Sequence, residues 1–177
     1  MSRAYKKNTQ TDKNLAWFLP RPKKDRYKGG MPLYAEEWLF DVARDILGKE
    51  ELDILQLFCG RNKYGTRVDI KDEVNPDLIG DAHKLSTFLP QHTYDVVFAD
   101  PPYSTEEARD IYGTPKLNYM AWTREADKYL ESGGLLVVYH KYIMPNPNPE
   151  KYVVAKRVFI GNRTYHLPRA VIFFQKK

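Results

Sequence analysis

Cysteine is nearly absent from this chain: Cys59 is the only one in 177 residues. That excludes an internal disulfide and a multi-cysteine metal site; no metal is expected, and a reducing, cytoplasmic setting follows. Long apolar runs are also missing. None approaches the roughly 18 residues of a membrane span, and no signal peptide is visible. There is no internal repeat and no low-complexity tract. Acidic residues are scarce at both ends. Residues 1–30 hold nine Lys/Arg against two acids, residues 140–177 hold eight against one, and residues 31–139 hold eleven against twenty. Two basic ends thus flank an acidic middle within a net charge of +5. Such ends suit a polyanion such as nucleic acid, although a solvated surface accounts for the same charges.

The length fits one domain with a sizeable core, and 42% hydrophobic with 29% charged residues is a globular composition. The stretch that carries chemistry begins at Tyr94-Asp95-Val96-Val97-Phe98-Ala99, an apolar, β-branched run that reads as a buried strand. Asp100-Pro101-Pro102-Tyr103 follows. Two prolines end a strand because they supply no N–H to a ladder. An acid, a rigid kink and an aromatic ring therefore sit at the carboxyl end of a buried strand, where ligands bind in open α/β sheets. A turn with no chemistry is the plainer alternative.

Taken from the start, the chain reads as follows. The polar, Lys-rich stretch to about Asn14 is expected to be flexible, whereas Leu15-Ala16-Trp17-Phe18-Leu19-Pro20 is too apolar for a free tail. Tyr27-Lys28-Gly29-Gly30-Met31-Pro32 pairs glycines that let a backbone approach something closely. Pro32 opens a helix over 33–47, with Trp38, Leu39, Val42, Ala43 and Ile46 on one face and Gly48 as its stop. Strands are expected over 52–58, 66–70 and 77–80. Only Arg61 to Gly65 separate the first two, too few residues for the usual crossover helix. The next gap is equally short. One face of that half of the sheet is expected to be thinly covered, by the N-terminal segment, a partner subunit or a second copy. Ser104 and Glu107 form a capping box for a short helix, a longer helix covers 117–130 up to Ser132-Gly133-Gly134, and 135–139 is a buried strand with His140 and Lys141 at its carboxyl end. Residues 152–160 and 170–175 read as a closing hairpin. Its connection holds Arg163, Tyr165 and Arg169, a mix that suits phosphate contact and base stacking but also an ordinary exposed tip.

Asp100-Pro101-Pro102-Tyr103 resembles the motif of S-adenosylmethionine-dependent methyltransferases that modify an exocyclic amino group of a nucleic-acid base. The residue types fit: Asp100 and the Pro101 carbonyl accept the amine's N–H bonds, Pro102 holds that carbonyl, and Tyr103 stacks on the base. Phe58-Cys59-Gly60 resembles the family's glycine loop, with Gln56 where an acid is usual and Asn62 where a second glycine is usual. The resemblance assigns Asp69 to the cofactor's ribose, Asp81 with Ala82 to its adenine, and Tyr27 with Lys28 to its methionine end. Lys141, Arg163, Tyr165 and Arg169 are the nucleic-acid candidates. The implied fold is a Rossmann-like, class I methyltransferase sheet. It is α/β and mostly parallel, with a C-terminal antiparallel hairpin and shortened first crossovers. Residues 1–26 would form a basic N-terminal segment and 27–177 the methyltransferase domain. The implied cofactor is S-adenosylmethionine and the implied substrate DNA, at adenine N6. Cytosine N4, an RNA base (adenine N6 or guanine N2), and a catalytically silent nucleic-acid-binding subunit are the alternatives. No separate target-recognition region is visible, so a short site or a site-choosing partner is expected.

Overall fold

The computed structural model describes residues 8–11, 14–20, 30–110, 113, 116–161 and 167–177. Tyr27, Lys28, Arg163 and Tyr165 lie outside them. The strands are β1 (Asn8–Thr11), β2 (Asn14–Phe18), β3 (Ile54–Leu57), β4 (Thr66–Asp69), β5 (Leu78–Ile79), β6 (Tyr94–Ala99), β7 (Leu130–His140), β8 (Tyr152–Gly161) and β9 (Arg169–Lys176). They form one sheet in the order β1-β2-β8-β9-β7-β6-β3-β4-β5. β5, β4, β3, β6 and β7 run parallel to their neighbours in that block, and β9 enters antiparallel between β7 and β8. This is the expected α/β sheet, mostly parallel and closed by an antiparallel hairpin. Among the described residues no helix is long and apolar enough to cross a membrane.

Two helices cover opposite faces. α1 (Ala35–Leu47) starts two residues later than the sequence suggests, because Tyr34 adopts a left-handed φ of 68°. It stops at Gly48, whose N–H bonds the Arg44 carbonyl at 2.8 Å, the left-handed cap expected of glycine. Leu39, Phe40, Val42 and Ala43 pack with Ile54, Val96, Phe98, Val137 and Phe173 on one face. α3 (Tyr119–Asp127) is shorter than expected; its buried Trp122 and Ala126 pack with Leu55, Leu57, Val97, Leu136 and Phe174 on the other. Gly133 and Gly134, expected as a break before the fifth strand, are instead part of a longer β7. The short helix α2 (Thr105–Asp110) opens on the predicted capping box: the Glu107 N–H donates to Ser104 Oγ at 3.1 Å, and Glu107 Oε2 accepts the Tyr103 N–H at 2.8 Å.

The missing crossovers are real among the described residues. β3 and β4 are joined without a helix, and a single 3₁₀ turn (Asp72–Val74) lies between β4 and β5. The compression is visible at Gly65, with φ +67°, where a Cβ would meet the Ile54 carbonyl oxygen at 2.2 Å. On the face that α1 covers elsewhere, β4 carries Arg67, which donates to both Asp77 carboxylate oxygens at 2.9 and 3.1 Å. A polar pair there needs no helix above it.

Residues 8–11 and 14–20 are more structured than their composition suggests. β2 pairs in parallel with β8, from Asn14 opposite Arg157 to Phe18 opposite Gly161. β1, in the stretch expected to be flexible, pairs antiparallel with β2. The strand forms because alternate residues Leu15 and Trp17, with Leu19 beyond, enter the α1 face of the core. Trp17 meets Trp38 edge to face at 5.5 Å between centroids, and its buried indole N–H has no partner among the described residues. Its contribution is therefore packing. Trp17→Ala should cost about 3–5 kcal/mol in urea unfolding, and Trp17→Phe, which keeps an aromatic ring but loses the indole N–H and part of the bicycle, should cost clearly less. A loss under about 1 kcal/mol in Trp17→Ala would mean that β2 is not part of the folding core.

Candidate active site

The residues expected to bind ligands gather at the carboxyl ends of β3, β4, β6 and β7. The β3 end is the loop 58–62. Phe58 has a φ of +54° and Gly60 one of +50°. A bulky residue rarely adopts that conformation, and here Phe58 is held in it by packing edge to face on Trp122 at 5.6 Å. Cys59 is buried and its thiol is pushed up to about 12 by burial and by the Asp69 charge, so it is no nucleophile. Asp69, last in β4, clamps this loop: Oδ2 accepts the Gly60 N–H at 2.9 Å and Oδ1 the Lys71 N–H at 3.0 Å.

The two departures from the family's loop pattern bond to each other. Gln56 is fully buried. Its Oε1 accepts from Asn62 Nδ2 at 2.8 Å, and its Nε2 donates to Glu36 Oε1 at 2.6 Å and to the Tyr64 carbonyl at 2.8 Å. All its hydrogen-bonding groups are used, which a buried amide requires. Burial raises the pKa of Glu36. Sequence reasoning missed Glu36: it lies in the first turn of α1, twenty residues from Gln56, and reads there as an ordinary helix-start acid.

Asp81 follows β5. Its Oδ1 accepts from the His83 backbone N–H at 2.9 Å and pairs with His83 Nδ1 at 2.6 Å, while His83 Nε2 accepts the Asn118 N–H at 2.9 Å. His83 thus spends both ring nitrogens tying Asp81 to the start of α3. Ala82 is buried beside it.

Asp100 follows β6, its N–H directed at the Leu57 carbonyl at 3.4 Å. The loop 100–103 therefore abuts the end of β3. Asp100 keeps part of its surface open, but its surroundings are crowded. Burial pushes its pKa up to about 8, against the opposing pull of Arg169 and the Tyr103 side chain. Pro101 is buried and Pro102 half-buried.

Tyr103 is half-buried and enclosed by charge and aromatic edges. Its Oη accepts from Arg169 Nε at 3.0 Å, the Arg169 guanidinium carbon lies 4.8 Å from its ring centroid, and Lys141 Nζ lies 5.7 Å from it. The His140 ring meets it edge to face at 5.0 Å. Burial, joined by the Asp100 charge, holds the Tyr103 hydroxyl protonated. His140 is buried, and burial with the neighbouring Lys141 charge lowers its pKa to about 4. It is neutral near pH 7, and its Nδ1 accepts the Tyr142 N–H at 3.0 Å. Glu107 Oε1 lies 3.5 Å from Lys141 Nζ.

The structure thus brings Phe58, Cys59, Gly60, Asp69, Asp81 and Ala82 to one part of the sheet edge. It brings Asp100, Pro101, Pro102, Tyr103, Lys141 and Arg169 to the adjoining part. Arg169, expected near an exposed hairpin tip, is instead half-buried against Tyr103. Beside His140, already expected at the end of its strand, Glu36, Glu107 and Tyr142 join this edge without having been singled out for it.

No protein-family model and no curated protein sequence matches the chain. Solved structures match in fold. TrmN from Thermus thermophilus is 14% identical, with a TM-score of 0.54, over 78% of this chain and 48% of its own. The N-methyltransferase NodS from Bradyrhizobium japonicum WM9, in complex with S-adenosyl-L-homocysteine, is 12% identical, with a TM-score of 0.56, over 81% of this chain and 88% of its own. The rRNA methyltransferase aviRa from Streptomyces viridochromogenes is 12% identical, with a TM-score of 0.56, over 85% of this chain and 87% of its own. The chain spans about half the length of TrmN. At these identities the likeness is one of architecture: this chain has the Rossmann-like fold that these methyltransferases share.

Proposed function

We propose that this chain is an S-adenosylmethionine-dependent methyltransferase acting on an exocyclic amino group of a nucleic-acid base, with adenine N6 in DNA as its first target. One observation carries the reading: the Asp100 carboxyl and the Pro101 carbonyl stand beside a clamped loop and two strand-end acids on one sheet edge. The acceptor set fits the cofactor. Asp69 presents acceptors where ribose hydroxyls would donate, and Asp81 Oδ2, which has no bond among the described residues, is free to accept an adenine amine. NodS bound to S-adenosyl-L-homocysteine shares the fold, which supports the same reading. An RNA base is a second reading, favoured by the likeness to an rRNA methyltransferase.

The bound cofactor would supply an electrophilic methyl group on sulfonium. An aromatic amine is a weak nucleophile because its lone pair is delocalised into the ring. Asp100 and the Pro101 carbonyl would accept its two N–H bonds, turn the lone pair toward the methyl group and stabilise positive charge growing on nitrogen. Pro102 restrains the carbonyl, and Arg169 limits how far Asp100 is protonated. The methylated amine then loses a proton to water, so no histidine base is needed; His83 has both nitrogens engaged.

Two sets of measurements test this. Asp69→Ala and Asp81→Ala should each weaken S-adenosylmethionine binding by about 1.5–3 kcal/mol in calorimetry; unchanged affinity in both would remove the cofactor assignment. Asp100→Ala should cut turnover on the order of 100- to 1000-fold with cofactor affinity kept, and full activity would reduce the motif to a turn. The pH dependence carries a sign. The folded-state pKa of Asp100, about 8, lies above its ordinary 3.8. Its contribution to stability is therefore present below the ordinary value and is lost as pH rises through about 8. Wild-type methylation should rise toward about pH 8 as the carboxylate forms. Asp100→Asn should lose that limb, and should gain thermal stability over wild type as pH rises from about 4 to 8. A flat wild-type profile would contradict the role given to the carboxylate.

A further inference from the structure

Just outside Tyr103 the same edge carries an apolar surface that neither core absorbs. Tyr142 is 56% exposed, Ile143 63% and Leu167 64%. Tyr142 and Ile143 follow β7, and Leu167 precedes β9. The β7–β9 ladder ends with His140 opposite Ala170, so the three residues lie where these neighbouring strands leave the sheet.

The surface is held in place. The Tyr142 N–H is fixed on His140 Nδ1, and the His140 ring lies 5.5 Å from that of Tyr142 and 5.0 Å from that of Tyr103. One buried imidazole therefore sets the spacing of both tyrosines. Lys141 Nζ lies 5.3 Å from the Tyr142 ring centroid and 5.7 Å from that of Tyr103. Arg169 Nη1 donates to the Leu167 carbonyl at 2.9 Å while its Nε holds Tyr103. Cations and aromatic faces alternate here within a C-terminal region of eight Lys/Arg and one acid.

We propose that Tyr142, flanked by Ile143 and Leu167, is a stacking platform for an unpaired base next to the base being modified, and that the substrate is a single strand at this site. This rests on the nucleic-acid reading above and narrows it. An exposed ring beside a cation, Lys141, offers a π-face to a base and charge to its phosphates. Tyr103, enclosed by Arg169, Lys141 and His140, offers less free face than Tyr142. A duplex keeps its bases stacked inside, and its readers insert a helix or ribbon into a groove. Among the described residues this edge presents strand ends and the short helix α2.

The test is fluorescence anisotropy with a labelled single-stranded oligodeoxynucleotide, its RNA counterpart and the matching duplex, each with S-adenosyl-L-homocysteine present. Wild type should bind a single strand, DNA or RNA, about tenfold or more tighter than duplex. Tyr142→Ala should weaken single-strand binding about 5- to 150-fold, the range for loss of one base stack, and Tyr142→Phe should not. Because no charge is removed, the slope of log affinity against log salt should be unchanged in Tyr142→Ala and shallower by roughly 1 in Lys141→Ala. Unchanged single-strand affinity in Tyr142→Ala, or duplex binding equal to single-strand binding, would overturn the platform while leaving the methyltransferase reading intact. Wild type that binds none of the three would overturn the nucleic-acid reading itself.

Discussion

The bond from Arg169 Nε to Tyr103 Oη is the contact on which the proposed catalytic edge depends. It joins the start of β9 to the loop after β6, strands that are separated by β7 in the sheet. The same guanidinium lies over the Tyr103 ring, offsets the charge of Asp100 and holds the Leu167 carbonyl. A half-buried cation of this kind is stable only while hydrogen bonds and nearby negative charge compensate its desolvation. Asp100, Tyr103 and the hairpin entrance thus form one electrostatic unit. Deleting the guanidinium would leave a crowded carboxyl without its opposing charge.

The half of the sheet proposed to hold the cofactor is built differently, by compression. Without crossover helices after β3 and β4, the turns must be closed by side chains. Asp69 clamps Gly60 and Lys71, Gln56 joins Glu36, Tyr64 and Asn62, and His83 ties Asp81 to α3. These are polar contacts between short loops. Gln56 and Asn62, which look like defects against the family pattern, are mutually satisfied partners in this network.

How much of this the sequence reveals follows from the range of each interaction. Asp100-Pro101-Pro102-Tyr103 was legible because strand, kink and acid are contiguous. The placement of Asp69 and Asp81 on this edge was legible because one ends a short strand and the other follows one, and the missing crossovers were legible from loop length alone. The Ser104–Glu107 capping box is local and was found as expected. β2 was not recognised as a strand, because its partner β8 is remote in sequence and only the pairing makes it one. Glu36 was hidden for a related reason: its role exists only once α1 docks over β3. Arg169 was visible as a charge near a hairpin, but burial against Tyr103 is a tertiary fact. Tyr142 was passed over because an aromatic after a buried strand is common, and only its exposure beside Lys141 sets it apart.

The central claim is that this edge moves a methyl group onto a base amine. Its most direct measurement is transfer of tritium from methyl-labelled S-adenosylmethionine to DNA and to RNA, followed by digestion to nucleosides and separation of the products. The account predicts label in nucleic acid, recovered as a base methylated on its exocyclic nitrogen, N6-methyladenine first among them. Label that stays wholly with the cofactor, or appears on a ring carbon or a ribose oxygen, would contradict it.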